Sequence, residues 1–419
     1  MIADEDIYTG DGTLRAEKDT VVETLTTGED GTAKSGSLYL GRYRLEERQA
    51  PSGCVLNPQP EYVELTYAGE TVEVTQTAAG LYDERQKVDV TLFKAMETDD
   101  LFGLGMNEEY KDISFGLYAS ADLTAADGSV IPAGGLLEVV SVSSEESGGY
   151  SASFASDLPF GSFYLKELST DSHYLPSGET FPFTFEYGGP SVAVVEINAN
   201  DGEAISNELI RGEIRGMKTD ENGTGLSGAV IGLFKSDETE FTAENALATA
   251  TSAEDGSFSF AGVPYGNWVL KELESPEGFI LSDEVIPVTV EEDGQVVEIS
   301  LANERVYGDL RLTKVDKDYP DNKLSGAVFE VYSDTNGDGK LDKADTLLGE
   351  MKELDGGVYQ MSELRYGKYL VKETKAPTGF VLDENVYSVS VEENGKTYTV
   401  ENKAGVGFIN AAQKGSLKS

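Results

Sequence analysis

One phrase recurs four times along this chain of 419 residues: a glycine, then an aromatic, an aliphatic and a glutamate at alternate positions. It reads "GRYRLEE" from Gly41, "GSFYLKE" from Gly161, "GNWVLKE" from Gly266 and "GKYLVKE" from Gly367. Such self-similarity means tandem structural units, and it governs every other inference about the fold. Alternate residues of a strand point to one face, so each glutamate shares its face with an aromatic and an aliphatic of core type. The four inward carboxylates are Glu47, Glu167, Glu272 and Glu373. Burying a carboxylate is costly unless something nearby satisfies it.

Two further elements accompany the phrase. "VDVTLFK", "GEIRGMK" and "GDLRLTK" precede three of the glutamates and end at Lys94, Lys218 and Lys314. Val90, Leu92 and Lys94 share a face, as do Leu310, Leu312 and Lys314. After the glutamates come "GLYDERQ", "AISNELI", "SLANERV" and "GFINAAQ". In these, Asp83, Asn207, Asn303 and Asn410 sit two residues after Leu81, Ile205, Leu301 and Phe408, and so also point inward.

The segments between are short alternating runs with turn dipeptides. Ile286-Val288-Val290 and Val297-Ile299 flank Asp293-Gly294; Tyr387-Val389-Val391 and Tyr398-Val400 flank Asn394-Gly395. Both pairs read as hairpins. "LSGAVIGLF" from Leu226 and "LSGAVFEVY" from Leu324 are matching strands, and long helical periodicity is missing. The expected architecture is all-β: tandem β-sandwiches of about seven strands each. The repeats are placed at 1–86, 87–210, 211–306 and 307–412, with a tail at 413–419. Repeat two carries an insertion, Ser141 to Tyr150. Repeat one has no lysine strand, because Lys18 and Lys34 lie in polar, turn-like sequence; the chain is expected to begin inside a repeat of a longer protein.

Composition removes several function classes. The net charge of −44 repels phosphate backbones and anionic lipids, so nucleic-acid and peripheral membrane partners are excluded. A single cysteine, Cys54, permits no intrachain disulfide, and a single histidine, His173, leaves no material for repeated His-based triads. No apolar run approaches the ~18 residues of a membrane-spanning helix, and the acidic N-terminus is no signal peptide. No sorting motif is read before Ser419, so signal and anchor are both expected to lie outside this sequence.

The pattern "K-x-D … LSGAVFEVY … G-x-Y-x-V-x-E-x-x-AP-x-GF … F-x-N" resembles the collagen-adhesin B-type repeats (Cna-B, prealbumin-like, as in SpaA-like isopeptide-forming pilins). The resemblance covers nearly the whole chain. It is strong in repeats three and four, fair in repeat one, and weaker in repeat two, where "STD" replaces the Ala-Pro segment. It implies Ig-like or prealbumin-like sandwiches in an adhesin stalk or pilin, outside the cell and anchored to a Gram-positive wall. The partners it implies are host matrix proteins or glycans, or further pilin subunits. It also implies intramolecular isopeptide bonds: Lys94–Asn207 promoted by Glu167, Lys218–Asn303 by Glu272, and Lys314–Asn410 by Glu373. Repeat one would hold an Asp-type site, Asp83 with Glu47, lacking its lysine.

These residue types suit that chemistry. Burial disfavours the charged form of lysine, and a neutral amine attacks a carbonyl carbon. Asparagine supplies the carbonyl with ammonia as leaving group; aspartate supplies it with water leaving. A buried glutamate stays protonated more readily, polarises the amide and shuttles protons. The site turns over once, so this is self-modification rather than enzymology, and no cofactor is required. The alternative is a buried Lys–Glu ion pair beside a hydrogen-bonded asparagine.

A second specific signal is "DTNGDGKLDKAD", Asp334 to Asp345. Asp334, Asn336, Asp338, Asp342 and Asp345, with the Lys340 carbonyl, follow the calcium-loop spacing, and Gly339 stands at the sharp turn. Repeat four is therefore expected to offer a Ca²⁺ site; the alternative is an acidic surface loop. A binding adhesin and a carbohydrate-active enzyme with paired carboxylates remain competing functions, the latter disfavoured because the glutamates are one per repeat and inward.

Overall fold

The computed structural model describes residues 1–124, 128–146 and 148–418. The regular secondary structure is nearly all strand; among the described residues helix is confined to two 3-10 turns, Glu109–Asp112 and Ala199–Gly202. It falls into two compact units, Met1–Leu209 and Ile210–Ser419.

The second unit contains two copies of one plan. In repeat three, Arg211–Asp220 lies between Ser257–Pro264, antiparallel, and Val296–Asn303, parallel. A second sheet is ordered Ala248–Thr251, Val230–Lys235, Gly266–Glu274, Val285–Val290. Repeat four repeats this arrangement. Tyr307–Asp316 pairs antiparallel with Val358–Arg365 and parallel with Thr397–Thr399 and Phe408–Asn410. Its second sheet is ordered Thr346–Glu350, Val328–Ser333, Gly367–Lys375, Val386–Val391. Leu310, Leu312, Phe329, Val371 and Phe408 close the core from both layers.

Repeat two, in the first unit, follows the same plan. Lys87–Met96 pairs with Tyr150–Phe154 and, in parallel, with Val194–Asn198 and Ile205–Asn207. Its second sheet is ordered Leu136–Ser141, Ser114–Ala119, Gly161–Ser169, Thr180–Phe185. The stretch read as an insertion, 141–150, is largely the end of a hairpin: Ser143–Ser144 pairs with Tyr150 and Ser151. Ser147 of that stretch and residue 419 of the tail lie outside the described residues.

Repeat one has a single main layer: Ile2–Ala3, Gly41–Leu45 and Glu61–Leu65. Cys54–Val55 pairs with Glu84–Arg85, and no strand is formed across residues 66–83.

The hairpin expectation at Asp293-Gly294 and Asn394-Gly395 is corrected. Val285–Val290 and Val296–Asn303 belong to opposite sheets, as do Val386–Val391 and Thr397–Thr399. Each turn carries the chain from one layer to the other. Alternation says only that one face of a strand is apolar, and two strands facing one core from opposite sides show the same pattern as a hairpin.

Within each unit, neighbouring repeats meet at a Pro-x-Gly turn. Gly53 and Gly278 have φ of +88° and +86°, a conformation that glycine adopts without strain. Both lie close to the aromatic that opens the next repeat's glutamate strand. A Cβ on Gly53 would stand 2.9 Å from the Phe160 ring, and one on Gly278 would stand 3.3 Å from Tyr366 Cβ. The Tyr366 hydroxyl donates to Glu277 Oε1 at 2.9 Å.

Candidate functional site

Lysine and asparagine come from adjacent parallel strands of one sheet, and glutamate from the facing sheet. The register is the same three times: Lys94 lies opposite Ile205, Lys218 opposite Leu301, and Lys314 opposite Phe408. Each partner is two residues before the asparagine, so lysine and asparagine share a face one pleat apart. The glutamates follow Leu165, Leu270 and Val371, each fully buried, by two residues on the same face of the strand.

In repeat three, Lys218 is 0 % and Glu272 1 % exposed. Lys218 Nζ lies 2.9 Å from Glu272 Oε1 and donates to Asn303 Oδ1. Asn303 Nδ2 donates to the same glutamate oxygen at 2.9 Å. In repeat four, Lys314 and Glu373 are both fully buried, with Nζ 2.9 Å from Glu373 Oε1. Lys314 Nζ donates to Asn410 Oδ1, and Asn410 Nδ2 donates to Glu373 at 3.0 and 2.9 Å. The Phe408 ring centroid is 4.5 Å from Nζ. Burial pushes Lys314 below the usual lysine range, with the Glu373 carboxylate partly opposing that shift.

Repeat two assembles the same residues differently. Lys94 Nζ donates at 2.9 Å to Asn207 Oδ1 and to the carbonyls of Ala95 and Ile205. Asn207 Nδ2 donates at 2.9 Å to Glu167 Oε1 and to the Thr170 hydroxyl. Burial pushes Lys94 down to about 8. In repeat one, Glu47 lies beside Asp83; burial raises the Glu47 pKa and the neighbouring Asp83 carboxyl adds to the rise. Asp83 Oδ1 is buried without a hydrogen-bond partner.

One participant was not foreseen from the sequence. In all four repeats the glutamate Oε2 accepts a backbone N–H from ten residues further on: Asn57 at 2.7 Å, Ser177, Ser282 at 2.8 Å and Asp383 at 2.8 Å. The Pro-x-Gly turn, or its counterpart in repeat two, brings the chain back to make this bond. In repeat three it holds Oε2 and leaves Oε1 to Lys218 and Asn303; in repeat four Oε1 meets Lys314, and Asn410 reaches both oxygens. The donors differ in residue type; what the sequence shows is the Pro-x-Gly turn that starts four residues after Glu47, Glu272 and Glu373. Thr170 carried no comparable signal.

The loop from Asp334 to Asp345 does not gather its carboxylates: among the described residues no group of three or more His, Cys, Asp or Glu is placed to hold a metal. Its side chains cap the loop's own backbone. Asp345 accepts from Thr335 N at 3.1 Å and Asp342 N at 2.8 Å; Asn336 Oδ1 accepts from Asp338 N at 3.1 Å. Asp338 accepts from Lys340 N at 2.8 Å, and Asp342 Oδ1 from Ala344 N at 2.7 Å. Asp334 is only 7 % exposed; its Oδ2 accepts from Gly339 N at 3.0 Å, while Oδ1 is buried with no partner.

Comparison with known proteins bears on the family and the fold. The family described as SpaA, prealbumin-like fold domain, matches residues 6–79, 212–305 and 308–404, which is well over half the chain. Repeat two lies outside the matched segments. Among solved structures, the Bacillus anthracis TIE protein is 21 % identical over 79 % of this chain, with a TM-score of 0.53, and shares the fold. This chain spans 52 % of that protein's length. BcpA, the major pilin subunit of Bacillus cereus, is 16 % identical over 78 % of this chain and 100 % of its own, with a TM-score of 0.34. A streptococcal ancillary pilin is 17 % identical over 78 % and 99 %, with a TM-score of 0.28. No curated protein sequence matches the chain.

Proposed function

The chain belongs to the family of SpaA prealbumin-like fold domains, and on that premise we propose that it is a structural stalk protein of the Gram-positive cell surface, pilin-like, whose repeats cross-link themselves through Lys–Asn isopeptide bonds. The observation that carries the reading is the position of Glu272 and Glu373. Each carboxyl touches both the attacking amine and the departing amide nitrogen, at 2.9–3.0 Å. Proton transfer from lysine to glutamate replaces a buried ion pair by a neutral pair, which the apolar surroundings favour. Neutral Nζ then attacks the asparagine Cγ. The glutamate passes the proton to Nδ2, the Cγ–Nδ2 bond breaks, and ammonia leaves as the amine's second proton is lost. Folding provides the proximity, which in well-aligned intramolecular reactions is worth about 7–11 kcal/mol.

Each bond would close a long loop: the joined residues are 113, 85 and 96 positions apart. For loops of this size a cross-link restricts the unfolded chain by about 4–5 kcal/mol in the chain-entropy account. Unlike a disulfide, it needs no oxidant. Force on a repeat's ends would pass through the bond between first and last strands rather than through strand hydrogen bonds. Among the described residues no helix is long and apolar enough to cross a membrane. The natural partners of such a stalk are further pilin-type subunits. Glu373→Ala should leave Lys314 and Asn410 unjoined, so the intact mass should exceed that of a singly substituted, fully joined chain by one ammonia. Limited proteolysis of repeat four should quicken with it; an unchanged cross-link in this variant would overturn the role of Glu373.

The same reading extends to calcium in repeat four. Asp334, Asn336, Asp338, Asp342, Asp345 and the Lys340 carbonyl would hold the ion only once the loop turns these side chains in from the backbone groups they now cap, starting from the unpartnered Asp334 Oδ1. The ion would tie down a loop between two strands. Calcium should raise the melting temperature of repeat four alone and slow proteolysis at 334–345; no shift between excess calcium and excess chelator would remove the site.

A further inference from the structure

Repeats two and four interrupt the last strand where repeat three runs it unbroken. Val296–Asn303 pairs continuously with Arg211–Asp220. In repeat two, residues 199–204 separate Val194–Asn198 from Ile205–Asn207; in repeat four, residues 400–407 separate Thr397–Thr399 from Phe408–Asn410. The interrupting loop of repeat four is tied down. Asn402 Nδ2 donates to Asp383 Oδ2 at 2.7 Å, and the Tyr387 hydroxyl donates to the same oxygen at 2.7 Å. Asp383 is also the residue whose backbone N–H holds Glu373, so one residue links loop, strand and triad.

Register identifies the counterparts in repeat two. Phe181 lies opposite Leu165 as Tyr387 lies opposite Val371, and Ser177 holds Glu167 as Asp383 holds Glu373. Neither can make the tie: phenylalanine has no hydroxyl, and serine has no carboxylate. The loop closes on itself instead, Asn200 Nδ2 donating to the Glu203 carbonyl at 3.0 Å. Between Ser177, Phe181 and this loop lies an open cavity of about 440 Å³, a size typical of ligand sites. Its floor is apolar: Phe181 and Ile205 are buried and Leu175 is half-buried. Its charged lining is two exposed carboxylates, Glu179 and Glu208, and no lysine or arginine is among the described residues that line it.

We propose that this cavity of repeat two binds a lysine or arginine side chain from a peptide segment of a partner protein. Long cationic side chains lay their stem along apolar surface and keep the charged head in water. The stem would lie on Phe181, Leu175 and Ile205, and the head would reach Glu179 and Glu208 at the rim. An anionic group is repelled by both carboxylates, and an uncharged side chain gains no charge pairing from them. A metal ion is the wrong occupant, because among the described residues no group of three or more His, Cys, Asp or Glu is placed to hold one. The chain's net charge of −44 steers a cationic segment toward it. The site does not rest on the cross-links: neither the cavity nor its lining carboxylates take part in that chemistry.

The test titrates the full chain with three capped tripeptides, acetyl-Gly-Lys-Gly-amide, acetyl-Gly-Arg-Gly-amide and acetyl-Gly-Gln-Gly-amide, and follows the backbone amide resonances. The lysine and arginine peptides should give saturable shifts confined to residues 175–181 and 200–208, and the glutamine peptide should give none. The double variant Glu179→Gln/Glu208→Gln should weaken binding about fivefold, the size expected for two exposed ion pairs. Ala204→Trp, at an exposed position of the lining, should abolish binding by filling the cavity while both carboxylates stay. Resonances elsewhere in repeat two are the folding control for both variants. Four results would each overturn the proposal: no saturable shift at the cavity, equal shifts with the glutamine peptide, shifts spread over the acidic surface of every repeat, or binding that survives Ala204→Trp.

Discussion

At the residue scale, what holds the lysine amine separates the three complete repeats. Lys218 and Lys314 each face a glutamate oxygen at 2.9 Å, whereas the bonds of Lys94 go to two backbone carbonyls and the asparagine. Burial holds Lys94 at about 8, against 10.5 for an ordinary lysine. The sign of its linkage follows. Between those values the unfolded chain retains a proton that the folded chain has lost, so stability rises with pH. The benefit is complete above 10.5 and is lost as pH falls through about 8. Asn207→Ala removes the acceptor carbonyl and leaves the amine free. The melting temperature of repeat two in that variant should climb between pH 7 and pH 10, relative to a Lys94→Met/Asn207→Ala control. Parallel curves for the two would show that Lys94 keeps its proton on folding.

At the scale of elements, alternation made the strands and their inward residues legible in repeats two to four, where Glu167, Glu272 and Glu373 and their lysine and asparagine partners are buried; in repeat one Glu47 lies past its strand, half-buried, and Asp83 is on no strand. It did not say which sheet each strand joins, which is why the turns at Asp293-Gly294 and Asn394-Gly395 read as hairpins. Nor did it reveal the amide ten residues past each glutamate, because a backbone donor leaves no mark in side-chain chemistry. Core packing was equally hidden. In repeat two, Leu92 faces Ala152 across the ladder; in repeat three, Gly216 faces Phe258, so large and small have changed places. A Cβ on Gly216 would stand 2.1 Å from the Phe258 ring. Gly216→Val should therefore cost about 1–3 kcal/mol by overpacking. The pair Gly216→Leu with Phe258→Ala, which borrows the arrangement of repeat two, should recover most of the loss. Denaturant midpoints of the single and double variants decide the point, and equal destabilisation in both would show that the ring is not the obstacle.

At the scale of the whole molecule, the four recurrences of the glutamate phrase and the net charge of −44 were legible, since each is a property of the sequence itself. The close junctions were not. The approach of Phe160 to the Pro51-Ser52-Gly53 turn, and of Tyr366 to Pro276-Glu277-Gly278, joins residues distant in sequence and carries no periodic signal. Short junctions of this kind, with the covalent tie proposed across each complete repeat, are what a stalk under tension requires. That account stands on the three triads having reacted. The direct test is the intact mass of the full chain, denatured, followed by mapping of branched peptides. The account predicts a mass three ammonia molecules below that of the sequence, with Lys94 joined to Asn207, Lys218 to Asn303 and Lys314 to Asn410. A mass equal to that of the unmodified sequence would contradict it.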